Sequence, residues 1–218
     1  AAARDMIRVE DKSFTENYFL TDPDFYNLFD FQLIQGDRSS ALAQPQNVVL
    51  VESMAQKLFG TTDVIGRRLS IKLGNMFHEF TVSALAEDVP ANSSIQFGIL
   101  LHFENTKKYV SESVIGAWFN IWLETYVLLP DGFDPALSEV KLKKVVESHY
   151  PQSDAKVTLH LQKLSDIYLN TEVPAGMAMR SDPAYSYIMI GIALLVLLIA
   201  CINFMTLSIG RSTTRAKE

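Results

Sequence analysis

The chain has 218 residues and a formal net charge of −6, which suits one large domain or two small lobes with a helix. A mildly acidic chain lacks the basic surface that neutralises phosphates, so we expect no nucleic-acid partner. Its one cysteine, Cys201, excludes an intramolecular disulfide, and this assigns no compartment.

The first half of the chain predicts strands that alternate with short helices. Residues 13–37, "SFTENYFLTDPDFYNLFDFQLIQGD", indicate a strand, a short helix and a strand. Residues 47–60, "NVVLVESMAQKLFG", indicate a strand and then a helix that Gly60 is placed to end. Residues 67–88, "RRLSIKLGNMFHEFTVSALAED", alternate on both sides of a Gly-Asn pair, which predicts a half-buried antiparallel hairpin.

Further along the chain, residues 122–150 indicate a strand, a turn and a helix. Residues 156–164, "KVTLHLQKL", alternate strictly between apolar and polar side chains and predict another strand. Two strand–helix–strand units with a β-rich insertion predict an α+β domain with two lobes. We place residues 1–43 and 97–180 in an α+β lobe, and residues 44–96 in an inserted β-rich lobe.

The chain ends in a long apolar segment. From Tyr187 to Leu207 the one strongly polar side chain is Asn203, and about 20 such residues cross a hydrocarbon core of about 30 Å. We expect a connector at residues 181–186, a transmembrane helix at residues 187–210, and contact with membrane lipid. The predicted fold is therefore a two-lobed extracytoplasmic α+β domain followed by one transmembrane helix.

Positive charge follows the apolar segment at Arg211, Arg215 and Lys217, and positive charge marks the cytoplasmic side of a membrane. Residues 211–218 are therefore expected to start a cytoplasmic segment, with residues 1–186 outside. The start of the chain lacks the apolar stretch of a signal peptide, so this orientation requires an earlier membrane segment or signal. We expect the chain to be a piece of a longer membrane protein.

Small and weakly polar residues gather near the end of the predicted helix. Such residues allow helices to approach closely and to form hydrogen bonds with one another. A packed helix bundle and an ordinary single anchor are both compatible with the pattern. The residues are Cys201, Asn203, Thr206, Ser208 and Gly210.

No constellation in the sequence predicts chemistry. The histidines, His78, His102, His149 and His160, lack metal-ligand spacing, and His78 and His160 are predicted on solvated strand faces. Ser53 lacks the flanking glycines of a nucleophile elbow and is interpreted as a helix cap. Because a Walker A loop and a dinucleotide fingerprint are also missing, we expect no catalytic, cofactor-binding or metal-binding residues, no cofactor and no enzyme activity.

One aromatic group remains open to two interpretations. Trp118, Phe119 and Trp122 lie close together in the sequence. They form either part of a core or an exposed binding patch.

Four motifs, taken in order, resemble one family. Residues 47–71, "NVVLVESMAQKLFGTTDVIGRRLSI", resemble the signature of MacB-like periplasmic core domains: a strand, a helix ending in Leu-Phe-Gly, an acidic turn and Pro-Ile-Gly-Lys. Residues 87–97, "EDVPANSSIQF", and 161–170, "LQKLSDIYLN", are similar to motifs of the version common in Bacteroidetes. Residues 198–218, "LIACINFMTLSIGRSTTRAKE", resemble the second transmembrane helix of FtsX-like ABC transporter permeases in that group.

The sequence departs from the family pattern at three positions. Val64 stands where the family usually has proline, Arg67 replaces the usual lysine, and Ser94 stands where histidine is frequent. These changes affect turn chemistry, so no detail of ligand contacts is carried over from the family.

The resemblance implies a periplasmic domain between transmembrane helices one and two of an inner-membrane permease subunit. The implied partners are a cytoplasmic ABC ATPase subunit or domain and a second permease copy or half. Whether a periplasmic adaptor and an outer-membrane channel also bind stays open. The implied function is to couple cytoplasmic ATP hydrolysis to conformational change in the periplasm, for export or extraction of a substrate.

Two other classes of protein are weighed against this interpretation. A receptor ectodomain, in which one helix transmits a ligand signal, would have a defined small-molecule pocket and a signalling domain after residue 218. A membrane-anchored hydrolase is disfavoured, because the sequence shows no catalytic constellation.

Overall fold

A computed structural model describes residues 2–117, 123–149, 157–168, 170 and 181–215 of the chain. These residues belong to two compact units. The first unit is formed by the described residues up to 162, and the second by those from 163 onward.

The described part of the first unit contains seven strands and four α-helices. A 3-10 turn, Phe103–Lys108, follows the last strand. In chain order the elements are β1 (Ala2–Val9), β2 (Lys12–Thr21), α1 (Phe25–Leu28), β3 (Leu33–Gln35), β4 (Asn47–Val51), α2 (Glu52–Phe59), β5 (Arg68–Leu73), β6 (Met76–Ala86), β7 (Ile99–His102), α3 (Glu112–Ile115) and α4 (Pro135–His149).

The strands form one mixed sheet that returns on itself. Its order is β3-β6-β4-β7-β2-β1-β5, and β5 also pairs with β6. The first half of β6 pairs antiparallel with β5, and its second half pairs parallel with β4. The strands β4, β7, β2, β1 and β5 are neighbours in that order, and β6 pairs with both the first and the last of them. The sheet therefore closes on itself and has an inner and an outer face.

Apolar side chains fill both faces of the central strand β4. Val48 and Leu50 point into the inner core, and Val49 and Val51 point into the outer core. An apolar run of this kind is typical of a strand with neighbours on both edges and cover on both faces. The inner core also receives Ala55 and Leu58 of α2.

A bulge interrupts β6 where it pairs with β4. Val48 is opposite Val82 and Val49 is opposite Ala84, so Ser83 is the extra residue. Its hydroxyl donates toward the carbonyl oxygens of Ala41, at 2.6 Å, and Val48, at 3.1 Å. The bulge is therefore held by a side chain at the point where the backbone ladder is broken.

The α+β class and the predicted hairpin are confirmed, but the sheet crosses the predicted lobe boundaries. Strands from residues 44–96 pair in the same sheet as β1, β2 and β7, which lie outside that range. Position 44 and position 97 therefore do not separate two sheets. The physical reason is that β4 is buried on both faces and needs a neighbouring strand on each edge.

The later part of the first unit departs from the predicted strands. Residues 123–130 and 157–163 are not β-strand in the structure, and α4 begins at Pro135 without a flanking pair of strands. The first turns of α4 are open, since Leu137 is 58% and Val140 is 61% exposed, while Leu142, Val145 and Val146 are half-buried. An alternating pattern forms a strand where a partner edge is within reach, and no strand in the described residues pairs with these segments.

The described part of the second unit contains a 3-10 turn, Leu164–Asp166, and one long helix, α5 (Pro183–Arg215). The helix has 33 residues, which makes it about 50 Å long. It begins inside the predicted connector and continues past the predicted end at position 210. Asp182 explains the early start, because its carboxylate accepts the backbone N–H of Ala184 at 2.8 Å and caps the first turn.

Gly36, directly after β3, generates the first prediction. Its φ of +96° disfavours any side chain, and a Cβ there would lie 2.7 Å from the Ala84 Cβ and 2.8 Å from the Ser83 carbonyl oxygen. We expect Gly36→Ala to lower the free energy of unfolding by about 2–4 kcal/mol, because backbone strain and overpacking add. Chemical denaturation monitored by tryptophan fluorescence measures this change.

The matched control is Gly132→Ala. Gly132 has a φ of +74° but nothing within 4 Å of an added Cβ, so this variant should lose about 1 kcal/mol from backbone strain alone. Equal losses for the two variants would show that Gly36 does not pack against the bulge.

Candidate functional site

The start of α2 lies at the edge where the parallel strands β4 and β6 both end. α2 follows β4 without a loop, and residues 87–97 follow β6. The carboxylate of Asp88 accepts the backbone N–H of Ser53 at 3.0 Å. A carboxylate at a helix N-terminus satisfies a free N–H group and interacts favourably with the helix dipole. The predicted cap, Ser53, is therefore the capped residue, and Asp88 is the cap.

Residues 51–54 and 88–98 form what we call the α2 junction. The Gln96 side-chain amide donates to the carbonyl oxygens of Pro90, at 2.8 Å, and Ser93, at 2.9 Å. Val51 N–H donates to the carbonyl oxygen of Gly98 at 3.0 Å. Two sequence motifs that stand 35 positions apart at Ser53 and Asp88 are therefore joined in one structure.

An aromatic cluster borders the α2 junction on the outer face of the sheet. Phe25 and Phe31 stack with ring centroids 5.6 Å apart, and Phe97 meets both rings edge-on at 5.5 and 5.0 Å. Phe29 meets Tyr126 edge-on at 5.2 Å, and burial raises the pKa of the Tyr126 hydroxyl, with a further contribution from Glu124. Edge-on and offset rings are favourable arrangements, so the cluster fixes the segment between β2 and β3 against the sheet.

The other end of α2 is held by charged side chains. Gly60 ends the helix in the left-handed conformation, as predicted. The Arg67 guanidinium lies 4.6 Å from the centroid of the Phe59 ring and 2.7 Å from Glu10. A planar guanidinium stacks on an aromatic ring in a way that the ammonium of lysine cannot. Arg67 therefore links the end of α2 to Glu10.

The histidines do not assemble into a metal site. Among the described residues, no group of three or more His, Cys, Asp or Glu side chains could hold a metal ion. His102 Nδ1 accepts the backbone N–H of Glu104 at 3.0 Å, and His160 Nδ1 lies 3.1 Å from Glu139. The aromatic group of Trp118, Phe119 and Trp122 lies outside the described residues.

His78 was expected on a solvated strand face, and this expectation is wrong. It lies opposite Ile71 in the β5–β6 ladder, and directly opposed residues point to the same face, here the inner face of the sheet, where His78 is half-buried. Its Nε2 atom is buried without a hydrogen-bond partner among the described residues. Burial, and then the nearby charge of Lys108, lower the pKa of the imidazole.

The long helix α5 forms the second candidate site. Within Pro183–Ile209 the most apolar window of 18 residues has a mean hydropathy of 2.8, and none of that window is buried within the structure. By length and composition this stretch is sufficient to cross a membrane. Thr206 satisfies its hydroxyl internally by donating to the carbonyl oxygen of Ile202 at 2.8 Å, a bond that costs little in an apolar environment.

The family of MacB-like periplasmic core domains matches residues 2–145 of the chain. A domain of a protein described as a permease from Porphyromonas gingivalis is similar in structure. Its TM-score is 0.53 at 31% sequence identity, over 72% of this chain and 69% of that one. The periplasmic region of MacB from Actinobacillus actinomycetemcomitans has a TM-score of 0.45 at 16% identity, over 70% of this chain and 66% of that one. Among curated proteins, none matches this chain.

Asp88 generates the second prediction. Asp88→Ala removes the acceptor for the Ser53 N–H, and we expect the free energy of unfolding to fall by about 1 kcal/mol. Asp88→Asn keeps an acceptor oxygen and should lose less than half of that amount. Asp63→Ala, which removes a carboxylate beyond the other end of α2, is the matched control. A loss at Asp88 no larger than the loss at Asp63, measured by chemical denaturation, would contradict the capping role.

His78 generates the third prediction, a pH dependence. Because its pKa in the folded protein is lower than the ordinary value of 6.5, the unfolded chain binds this proton more tightly, and acid favours unfolding. The stabilisation is present above about pH 6.5 and is lost as the pH falls toward the folded pKa. We expect His78→Gln to unfold with a weaker pH dependence than the wild type between about pH 7.5 and 5.

Urea unfolding at a series of pH values measures this difference. Ile71→Val provides the control, because it shortens the apolar side chain opposite His78 without removing a titratable group and should retain the wild-type slope. Identical slopes for His78→Gln and the wild type would show that His78 is free to accept its proton in the folded protein.

Proposed function

This chain belongs to the family of MacB-like periplasmic core domains, and from that premise we propose that it forms the outer domain and second transmembrane helix of an ABC transporter permease subunit. In this proposal the subunit couples ATP hydrolysis in the cytoplasm to conformational change in the periplasm. The change serves export or extraction of a substrate.

One observation carries the proposal: α5 is a single uninterrupted helix. It has 33 residues, about 50 Å by its rise, which exceeds the hydrocarbon thickness of about 30 Å. The helix therefore has the length to span the membrane and to continue beyond it. A continuous helix can carry a displacement from one side of a membrane to the other.

The proposed orientation places residues 1–186 in the periplasm and the end of α5 in the cytoplasm. It is supported by the basic residues Arg211, Arg215 and Lys217, which follow the apolar stretch. The proposed location is the inner membrane.

The proposed partners follow from the family. A cytoplasmic ABC ATPase would supply the energy, and a second permease copy or half would complete the membrane part. A periplasmic adaptor and an outer-membrane channel are further candidates. We assign no catalytic step and no cofactor to this chain.

The proposed mechanism joins a rigid outer body to a moving helix. The sheet of the first unit resists deformation, because each half of β6 is paired with a different strand and both faces are packed. Nucleotide-driven closure in the cytoplasm would tilt α5, and the connecting chain would carry that motion to the outer body. This coupling requires two global states of the protein whose relative populations depend on the bound nucleotide.

The two-lobed division stays a proposal, with residues 1–43 and 97–180 in an α+β lobe and residues 44–96 in an inserted β-rich lobe. The two lobes would share one sheet, which lies within one compact unit.

The fourth prediction tests the mechanical coupling. Insertion of Gly-Ser-Gly-Ser after Arg180 adds a flexible link ahead of α5. We expect it to abolish the nucleotide-dependent movement of the outer domains, because a flexible link does not transmit tilt, while the ATPase rate stays within about twofold. The measurement uses the full-length protein with its ATPase, and a spin label on Lys12→Cys in a background with Cys201→Ala. Label-to-label distances between the two copies are compared with and without nucleotide.

The control carries the same insertion after Asp131, in the exposed turn at Gly132, and should keep the movement. If nucleotide changes the label-to-label distances in the Arg180 insertion variant as much as in the wild type, the mechanical coupling is refuted. Capture of partners from native membranes distinguishes the proposed transporter from the receptor alternative. Recovery of an ATPase supports the transporter, and recovery of a signalling kinase instead would replace it with the receptor.

A further inference from the structure

We propose that the segment Leu164–Tyr168, which we call the outer turn, lies on the membrane surface beside the start of α5. There Leu164 and Tyr168 would contact the lipid headgroups and the upper part of the acyl chains. The inference rests on the proposed function, because it takes α5 as membrane-spanning. It adds a lipid contact made by a segment that is distant in sequence from the spanning helix.

A hydrogen bond fixes the outer turn to the start of α5. The backbone N–H of Ser181 donates to the carbonyl oxygen of Tyr168 at 3.0 Å. Ser181 is followed directly by Asp182, whose carboxylate caps the helix at Ala184. Within the outer turn, Ile167 N–H donates to the carbonyl oxygen of Leu164 at 3.4 Å. The outer turn and the first turn of α5 therefore lie at the same level, in the same compact unit.

The length of the apolar stretch sets the depth of that level. The run from Tyr187 to Leu207 spans 21 residues, about 31 Å along the helix axis, which matches a hydrocarbon core of about 30 Å. Ser181 stands six positions before Tyr187. The four steps from Pro183 to Tyr187 are helical and rise about 6 Å, and the two steps before Pro183 add at most about 7 Å, so Ser181 lies within about 13 Å of the hydrocarbon boundary. The headgroup layer on each side is about 5–8 Å thick. The carbonyl of Tyr168, bonded to Ser181, is therefore held in the headgroup layer or within about 8 Å of its outer side.

The exposed side chains at this level have the chemistry of a membrane interface. Leu164 is 50% and Tyr168 is 47% exposed, and on α5 Tyr185 is 68% and Tyr187 is 74% exposed. Tyrosine is enriched at the membrane–water boundary, because its ring is apolar and its hydroxyl remains hydrated. Lys163, also exposed, can extend its ammonium toward lipid phosphates while its carbon chain stays near the apolar layer.

Continuity favours lipid over a protein as the occupant of this surface. The outer turn is bonded to Ser181, four positions before the exposed Tyr185, and α5 itself is exposed along its apolar stretch. A surface that continues a lipid-facing helix at headgroup depth meets lipid without any further partner. In that position Leu164 and Tyr168 would remove apolar area from water.

Depth-dependent fluorescence quenching tests the proposal on the full-length protein. Single cysteines are introduced as Leu164→Cys, Tyr168→Cys, Tyr187→Cys or Leu128→Cys, in a cysteine-free background that includes Cys201→Ala. Each is labelled with an environment-sensitive fluorophore and reconstituted into phosphatidylethanolamine–phosphatidylglycerol vesicles. Quenching by lipids with a nitroxide at the headgroup is compared with quenching by iodide in the water. Leu128, which is 74% exposed in the first unit, is the matched apolar control.

We expect labels at positions 164 and 168 to be quenched by the lipid nitroxide at least about twofold more than the label at 128, and about as strongly as the label at 187. If position 187 is quenched by lipid but positions 164 and 168 respond to iodide like position 128, the outer turn faces water and the inference is wrong. If positions 164 and 168 resist both quenchers, a protein covers them, which also overturns it. If position 187 itself is not quenched by lipid, α5 does not span the membrane, and the proposed function fails as well.

Discussion

The first unit depends on β6 pairing with two different neighbours along its length. One half of β6 holds β5 and the other holds β4, so this strand joins the two ends of the sheet. The bulge at Ser83 lies in the half that pairs with β4, where an extra residue bends a strand and increases its twist. The hydroxyl of Ser83 lies within hydrogen-bond distance of the carbonyl oxygens of Ala41 and Val48 beside the bulge, and Gly36 permits the close approach of the neighbouring segment. Both cores lie on the two sides of this bent strand.

The parallel pairing of β4 with β6 also explains why two family motifs occur together. Parallel strands end at the same edge of a sheet, so the helix after β4 and the loop after β6 must meet. Asp88 and Ser53 make that contact, and Gln96 closes the loop upon itself. The motifs are therefore constrained by shape and hydrogen bonding, which is consistent with a domain whose proposed role is mechanical.

Local patterns in the sequence predicted the elements whose formation depends on near neighbours. The β5–β6 hairpin, the passage from β4 into α2 and the end of α2 at Gly60 are of this kind, because alternation, burial and turn chemistry are all local. Contacts between distant residues were not predictable. The inward direction of His78 depends on its pairing with Ile71, and the cap at Asp88 depends on the ladder between β4 and β6. Residues 157–163 show that a local pattern is not sufficient by itself. Their strictly alternating sequence does not form a strand, because no neighbouring strand among the described residues pairs with them.

The uninterrupted length of α5 has a geometric consequence. No proline follows Pro183 in the helix, so it lacks the commonest cause of a sharp kink. A straight rod of about 50 Å that pivots at one end by about 10° sweeps its other end through roughly 9 Å, which is comparable to the diameter of a helix. In the proposed orientation of α5, a small angular change on one side of the membrane would be large enough on the other side to open or close a gap of molecular size. For such a lever, straightness and length are the properties under constraint, and many apolar sequences would satisfy them equally well.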